Sequence, residues 1–156
     1  MILVLCGTQK QSFSRMIKAV ETLADDNEII VQAGHSQYHC EKMEIFDFIA
    51  PDKLKRLYEK TDFIITHAGA GSMFQAIESK KKIIAVPRMK KYGEHVDDHQ
   101  LQLAEKLQKL GLLLVFNDGD NMRDIFDKLR GFEPKPYHLK GNIPVLIDQQ
   151  LEKVFR

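Results

Sequence analysis

The chain reads as an α/β domain, a Rossmann-like parallel sheet with helices on both faces. Three observations predict it. Apolar runs are short and stop at glycine or polar residues; apolar side chains between them recur at helical spacing; and the two kinds of segment alternate. Met1 to Cys6 is the first such run, ended by Gly7, and suits a strand buried on both faces. Phe13, Met16, Ile17, Val20 and Leu23 then mark a helix, and Ile29 to Ala33 a second strand that stops at Gly34. Glu44 to Ile49 is a candidate third strand. Leu54, Leu57 and Tyr58 mark a short helix, and Phe63 to Thr66 a fourth strand. The pattern continues with a helix from about Gly71 to Ser79, a strand from Ile83 to Val86, a helix from about Asp97 to Leu110, and a strand from Leu112 to Phe116. Gly131 to Pro144 is linker-like, with Pro134, Pro136, Gly141 and Pro144. In the final helix, residues 145–156, Ile147, Leu151, Val154 and Phe155 share a face that must dock on its own sheet or on another chain.

With 156 residues, 44% hydrophobic and 29% charged, the chain has the length and composition of one domain, residues 1–156, with a real core. Its formal net charge of +1 gives no bulk reason to expect a nucleic-acid partner. Cys6 and Cys40 lack paired spacing, the first residues form no secretory signal, and no apolar run reaches the roughly 20 residues that cross a bilayer. A cytoplasmic protein is expected. Lys80-Lys81-Lys82 and Lys90-Lys91 read either as a solvated face or as an attraction to anionic lipid.

Ligands of parallel α/β sheets bind at the carboxyl ends of the strands, so four polar loops carry the candidate chemistry: Gly7 to Ser12, Gly34 to His39, His67 to Ser72, and Pro87 to Gln100. His67-Ala68-Gly69-Ala70-Gly71-Ser72 follows a strand and opens a helix. Its glycines let backbone N–H groups approach an anion, which the helix dipole favours by about 0.3–1 kcal/mol. A diphosphate held this way requires no metal. The competing reading is a tight turn with Ser72 as helix cap. The dinucleotide fingerprint fails because Phe74 stands where its third glycine belongs, the P-loop lysine is missing, and no Gly-x-Ser-x-Gly occurs. In the fourth loop, His95, Asp98 and His99 could ligate a metal, Asp97 or Asp98 could cap a helix, and an imidazole with Gln100 could recognise sugar hydroxyls. Arg88 reads as a phosphate contact or a surface ion pair.

Pro87-Arg88 with Tyr92-Gly93-Glu94-His95-Val96-Asp97-Asp98-His99-Gln100, together with His67 to Ser72, resembles the glycosyltransferase family 28 C-terminal domain. The nearest likeness is to small bacterial exopolysaccharide and capsule subunits, and it covers Met1 to about Phe126. It extends to the soluble subunit of the eukaryotic two-component N-acetylglucosaminyltransferase acting on a dolichol-linked sugar. The resemblance implies a single GT-B half of the C-terminal, donor-binding type. It implies a UDP-sugar donor, no metal or other cofactor, and a separate membrane-associated subunit that binds the lipid-linked acceptor and recruits this chain to the inner face of the membrane. By the same resemblance, Gly7 and Thr8 form the first phosphate loop, and His67, Gly69, Ala70, Gly71 and Ser72 the diphosphate loop. Phe48 and Ile49 read the uracil through their backbone, or are simply core. Gln75 stands where relatives carry an acidic ribose ligand, and His99 and Gln100 face the donor sugar.

The implied reaction inverts the anomeric centre as an acceptor hydroxyl displaces UDP. Amides at Gly7-Thr8 and Gly69 to Ser72 would stabilise the leaving diphosphate. A general base is needed. In-chain candidates are His67, Glu94, His95 and Asp97, and the resemblance places the base on the partner. The alternative is a non-catalytic module that senses a UDP-sugar with the same loops.

Overall fold

A computed structural model of the chain describes residues 1–137. The predicted helix at 145–156, and the linker-like stretch beyond residue 137, lie outside the described residues. Six parallel strands form one sheet: β1 (Ile2–Leu5), β2 (Ile29–Gln32), β3 (Glu44–Phe46), β4 (Phe63–His67), β5 (Lys82–Val86) and β6 (Leu114–Val115), in the order β3-β2-β1-β4-β5-β6. That is the doubly wound order, and its direction reverses between β1 and β4, where a crevice opens at the strands' carboxyl ends. β1 is central, with Ile2 in register with Ile29 on one side and Phe63 on the other.

Side chains alternate along each strand, so the sheet separates two apolar layers. Ile2 and Val4 point to the layer containing Met16, Ile17 and Val20 of α1 (Ser14–Glu21) and Met122, Phe126 and Leu129 of α5 (Met122–Arg130). Leu3 and Leu5 point to the layer made with α2 (Pro51–Lys60), α3 (Ala70–Glu78) and α4 (His99–Lys109). Because both faces are covered, β1 is apolar throughout. No helix among the described residues is long and apolar enough to cross a membrane.

Four details depart from the sequence expectation. The crossover from β2 to β3 has no helix; residues 33–43 run as a strap, with Ser36 Oγ accepting Phe13 N at 2.7 Å, the Tyr38 hydroxyl donating to Glu21, and Lys42 paired with Asp25 at 2.6 Å. α5 was not anticipated, although Met122, Phe126 and Leu129 lie on one helical face and Asn121 Oδ1 caps it by accepting Asp124 N. β3 stops at Phe46, and further on Ile49 N donates to the Gln32 side chain, 2.9 Å. β6 is only two residues long, because Leu112 N turns back to Leu107 O, 3.1 Å.

Candidate functional site

A cleft of about 420 Å3 opens where β1 and β4 part. Its lining contains Gly7, Thr8, His67, Gly69, Ala70, Gly71, Ser72, Gln75, His99 and Gln100 of the predicted site, together with His95 and Asp97. Gln9, Gln32, Tyr58 and Val96 also line it; Gln9 and Val96 lie in two of the predicted loops but were not singled out, and Gln32 and Tyr58 sit in a strand and a helix that carry no motif. A larger hollow, about 780 Å3, lies between the end of α3 and residues 133–137. It sits at the amino ends of the strands and contains none of the glycine-bearing loops, so the smaller cleft is the candidate site.

His67, at the end of β4, organises the cleft. Its ring lies against both glycine loops: a Cβ on Gly7 would fall 2.6 Å from His67 Nε2, and one on Gly69 2.2 Å from His67 Cε1. Gly7 also has φ +80°, in the left-handed region. The two glycines therefore serve the imidazole as well as any ligand. Burial, with smaller contributions from Arg88 and His95, pushes the His67 pKa down from 6.5 to about 4, so the ring is neutral at physiological pH. Gln100 Oε1 accepts Arg88 N at 3.1 Å, which assigns its Nε2, 3.5 Å from His67 Nδ1, as a donor. The His67 proton then resides on Nε2, 3.2 Å from Ser72 Oγ, and the Ser72 hydroxyl hydrogen is free to donate onward.

Ser72 is not the cap of α3. Gly69 holds the cap position, no side chain caps the helix, and no acidic residue occupies its first turn. The opening N–H groups of a nine-residue helix, the Gly7 loop and the Ser72 hydroxyl thus converge on one concavity, the arrangement an anion needs.

At the opposite wall, Asp97 stands between two imidazoles. Its N–H donates to His95 Nδ1 at 3.2 Å and its Oδ1 accepts His99 N at 3.0 Å, while Oδ2 lies 3.3 Å from His99 Nδ1 without hydrogen-bond alignment. His95 Nε2 in turn lies 3.0 Å from the Gln9 amide nitrogen, linking this loop to the first. Asp98 turns away to accept Lys90 N, and among the described residues no three His, Cys, Asp or Glu side chains are grouped to hold a metal ion.

Several predicted residues have other work. Arg88 is neither a phosphate contact nor a surface ion pair: it is 1% exposed, and among the described residues its Nη1 and Nη2 donate to backbone carbonyls alone, because a buried guanidinium must find acceptors inside. Glu94 is unsuited as a base, since both carboxylate oxygens accept from Arg15 and Oε1 also accepts Met89 N. Gln100 lines the cleft, yet both ends of its amide face protein partners. Ile49 is packed in the core with its N–H bonded to Gln32, so that amide is not available to a base. Phe48 is half exposed, edge-on to His35, outside the cleft lining.

The family description glycosyltransferase family 28 C-terminal domain matches residues 1–137. The UDP-N-acetylglucosamine transferase subunit ALG13 of Homo sapiens is 33% identical over 92 residues, 56% of this chain and 8% of that protein. The protein of the same name from Candida glabrata is 28% identical over 105 residues, 67% of this chain and 49% of that one. The chain therefore spans half or less of these relatives' length. An NMR solution structure of ALG13 superposes with TM-score 0.60 at 19% identity, covering 99% of this chain and 96% of that one. A crystal structure of the kitacinnamycin glycosyltransferase superposes with TM-score 0.61 at 14% identity, covering 97% of this chain but 38% of that one. The fold is that of one Rossmann-like half of a GT-B glycosyltransferase.

Proposed function

The chain belongs to the glycosyltransferase family 28 C-terminal domain family, and from that premise we propose that it binds a UDP-sugar and serves as the catalytic subunit of a two-component inverting glycosyltransferase. The observation that carries this reading is the convergence of the uncapped first turn of α3, the Gly7 loop and the Ser72 hydroxyl on one cleft. In the proposed reaction an acceptor hydroxyl attacks the anomeric carbon as the bond to UDP breaks, and charge accumulates on the departing diphosphate. Amides already aimed at that charge lower the barrier without reorganising. The relatives are named UDP-N-acetylglucosamine transferase subunits, which makes UDP-N-acetylglucosamine the first donor to test. The setting in exopolysaccharide or capsule synthesis rests on the resemblance of Pro87-Arg88 and Tyr92 to Gln100 to bacterial subunits; the lipid-linked acceptor and the membrane-associated partner that presents it rest on the wider family resemblance, with relatives themselves named as subunits.

Of the in-chain candidates for general base, His95 and Asp97 remain in the cleft. A neutral ring with a pKa of about 4, its Nε2 proton directed at Ser72, makes His67 a poor one. The base is expected on the partner.

UDP is expected to raise the melting temperature of the isolated chain, equally with and without a chelator, as followed by differential scanning fluorimetry. No shift, or one abolished by chelation, would count against amide binding of the diphosphate. Transfer itself is tested by co-expression with the candidate partner and a panel of UDP-sugars on a polyprenyl-linked acceptor. There His99→Ala is expected to lower transfer by about 10-fold to 100-fold, the loss of one or two hydrogen bonds to a sugar hydroxyl, while UDP affinity stays within about twofold. Unchanged transfer would remove His99 from sugar recognition; loss of UDP binding would move it to the nucleotide.

A further inference from the structure

Two guanidinium groups and one carboxylate lie together behind the first loop. Arg88 Nη2 donates to Cys6 O at 2.7 Å, while Nη1 donates to Gln11 O at 2.8 Å and Glu94 O at 3.0 Å. Cys6 and Gln11 bracket the turn that carries Gly7 and Thr8, so one side chain ties both ends of that turn to the fourth loop. Its guanidinium also lies 4.7 Å from the centroid of Phe13. The carboxylate of Glu94 is in bidentate contact with Arg15, whose Nη2 lies 2.8 Å from Oε1. Among the described residues, two positive charges thus face the one carboxylate of Glu94; Asp118, which also feels Arg15, is paired with Lys91 and accepts from the Tyr92 hydroxyl. Burial lowers the Arg88 pKa against the opposing pull of Cys6 and Glu94, but a guanidinium stays protonated inside proteins.

The direction of the three bonds matters as much as the charge. The described chain has no cis peptide, so each N–H points opposite to the C=O of its own peptide unit. With Cys6 O and Glu94 O turned onto Arg88, the N–H groups of Gly7 and His95 are turned away from it, and both of those residues line the cleft. We propose that Arg88 is a positioning residue for a nucleoside diphosphate: without touching the ligand, it aims two peptide N–H groups at it and places uncompensated positive charge behind them. This rests on the reading of the cleft as a UDP site.

The test compares UDP with uridine, which lacks the diphosphate, by calorimetry for the first and NMR titration to millimolar concentration for the second. Arg88→Gln is expected to weaken UDP about tenfold or more while uridine changes by less than about twofold, since only the charged group senses the lost field. Arg15→Gln leaves the three carbonyl bonds in place but removes the excess charge, and is expected to weaken UDP about threefold with uridine unchanged. Equal losses for UDP and uridine mean general distortion and overturn the proposal, as does unchanged UDP binding. Should Arg88→Gln fail to fold, the Arg15→Gln comparison decides alone. A wild-type chain that ignores UDP sinks the donor reading itself, a result distinct from a wild type that binds and variants that bind alike.

Discussion

Gly69→Ala is expected to destabilise the chain by about 1–3 kcal/mol, the range for forcing a methyl into a packed site, and to weaken UDP binding at least about tenfold, equivalent to 1.4 kcal/mol. The new Cβ would lie 2.2 Å from His67 Cε1, and the ring it meets is already packed closely against Gly7, where a Cβ would fall 2.6 Å from Nε2. The φ of Gly69 is −72°, an ordinary value, so the penalty is steric and not conformational. That makes the prediction separable. Adding His67→Ala removes the obstacle, so the double variant should be more stable than the sum of the single changes, with a coupling of about 0.5–3 kcal/mol. Urea denaturation of the four proteins measures it, and strict additivity would mean that Gly69 is constrained by something other than the imidazole.

Acid sensitivity is the second large effect. The folded-state pKa of His67 lies near 4 and its unfolded value near 6.5, so below pH 6.5 the unfolded chain binds a proton that the native chain refuses. His67 therefore leaves stability untouched above about pH 6.5 and subtracts from it progressively as the pH falls toward 4. The full difference is about 3 kcal/mol at 1.36 kcal/mol per pKa unit. Denaturation midpoints of wild type and His67→Gln from pH 7.5 to 4 should diverge by that order, with the variant's profile flatter. Parallel profiles would mean that the imidazole is reached by water or by a counter-charge in the native state.

The parallel sheet was legible because β1, β2, β4 and β5 are apolar runs buried on both faces, a pattern that few alternatives produce. The two glycine-bearing loops were legible for a related reason, since glycine at a strand end marks a close approach. What the glycines approach was not: Gly7 and Gly69 meet the same histidine ring, a contact made only when β1 and β4 lie side by side. Arg88 escaped for a similar reason. An arginine after Val86-Pro87 looks like a surface residue, and its acceptors are backbone carbonyls at positions 6, 11 and 94, which carry no side-chain signature. The stripe of Met122, Phe126 and Leu129 was readable but short, and the strap over residues 33–43 has no helical period to detect.

The placement of β1 governs how the cleft comes into being. Its neighbour β2 is supplied by the adjoining stretch of chain, whereas β4 follows β3, on the far flank, and the α2 crossover that returns over the sheet. Joining β1 to β4 closes the longer loop and carries the larger entropic cost, so it is the slower pairing to nucleate. The candidate cleft straddles that seam. A half-collapsed chain with β1 and β2 already paired possesses the Gly7 turn but neither His67 nor the α3 terminus, and ligand can draw folding forward only once the two flanks have met.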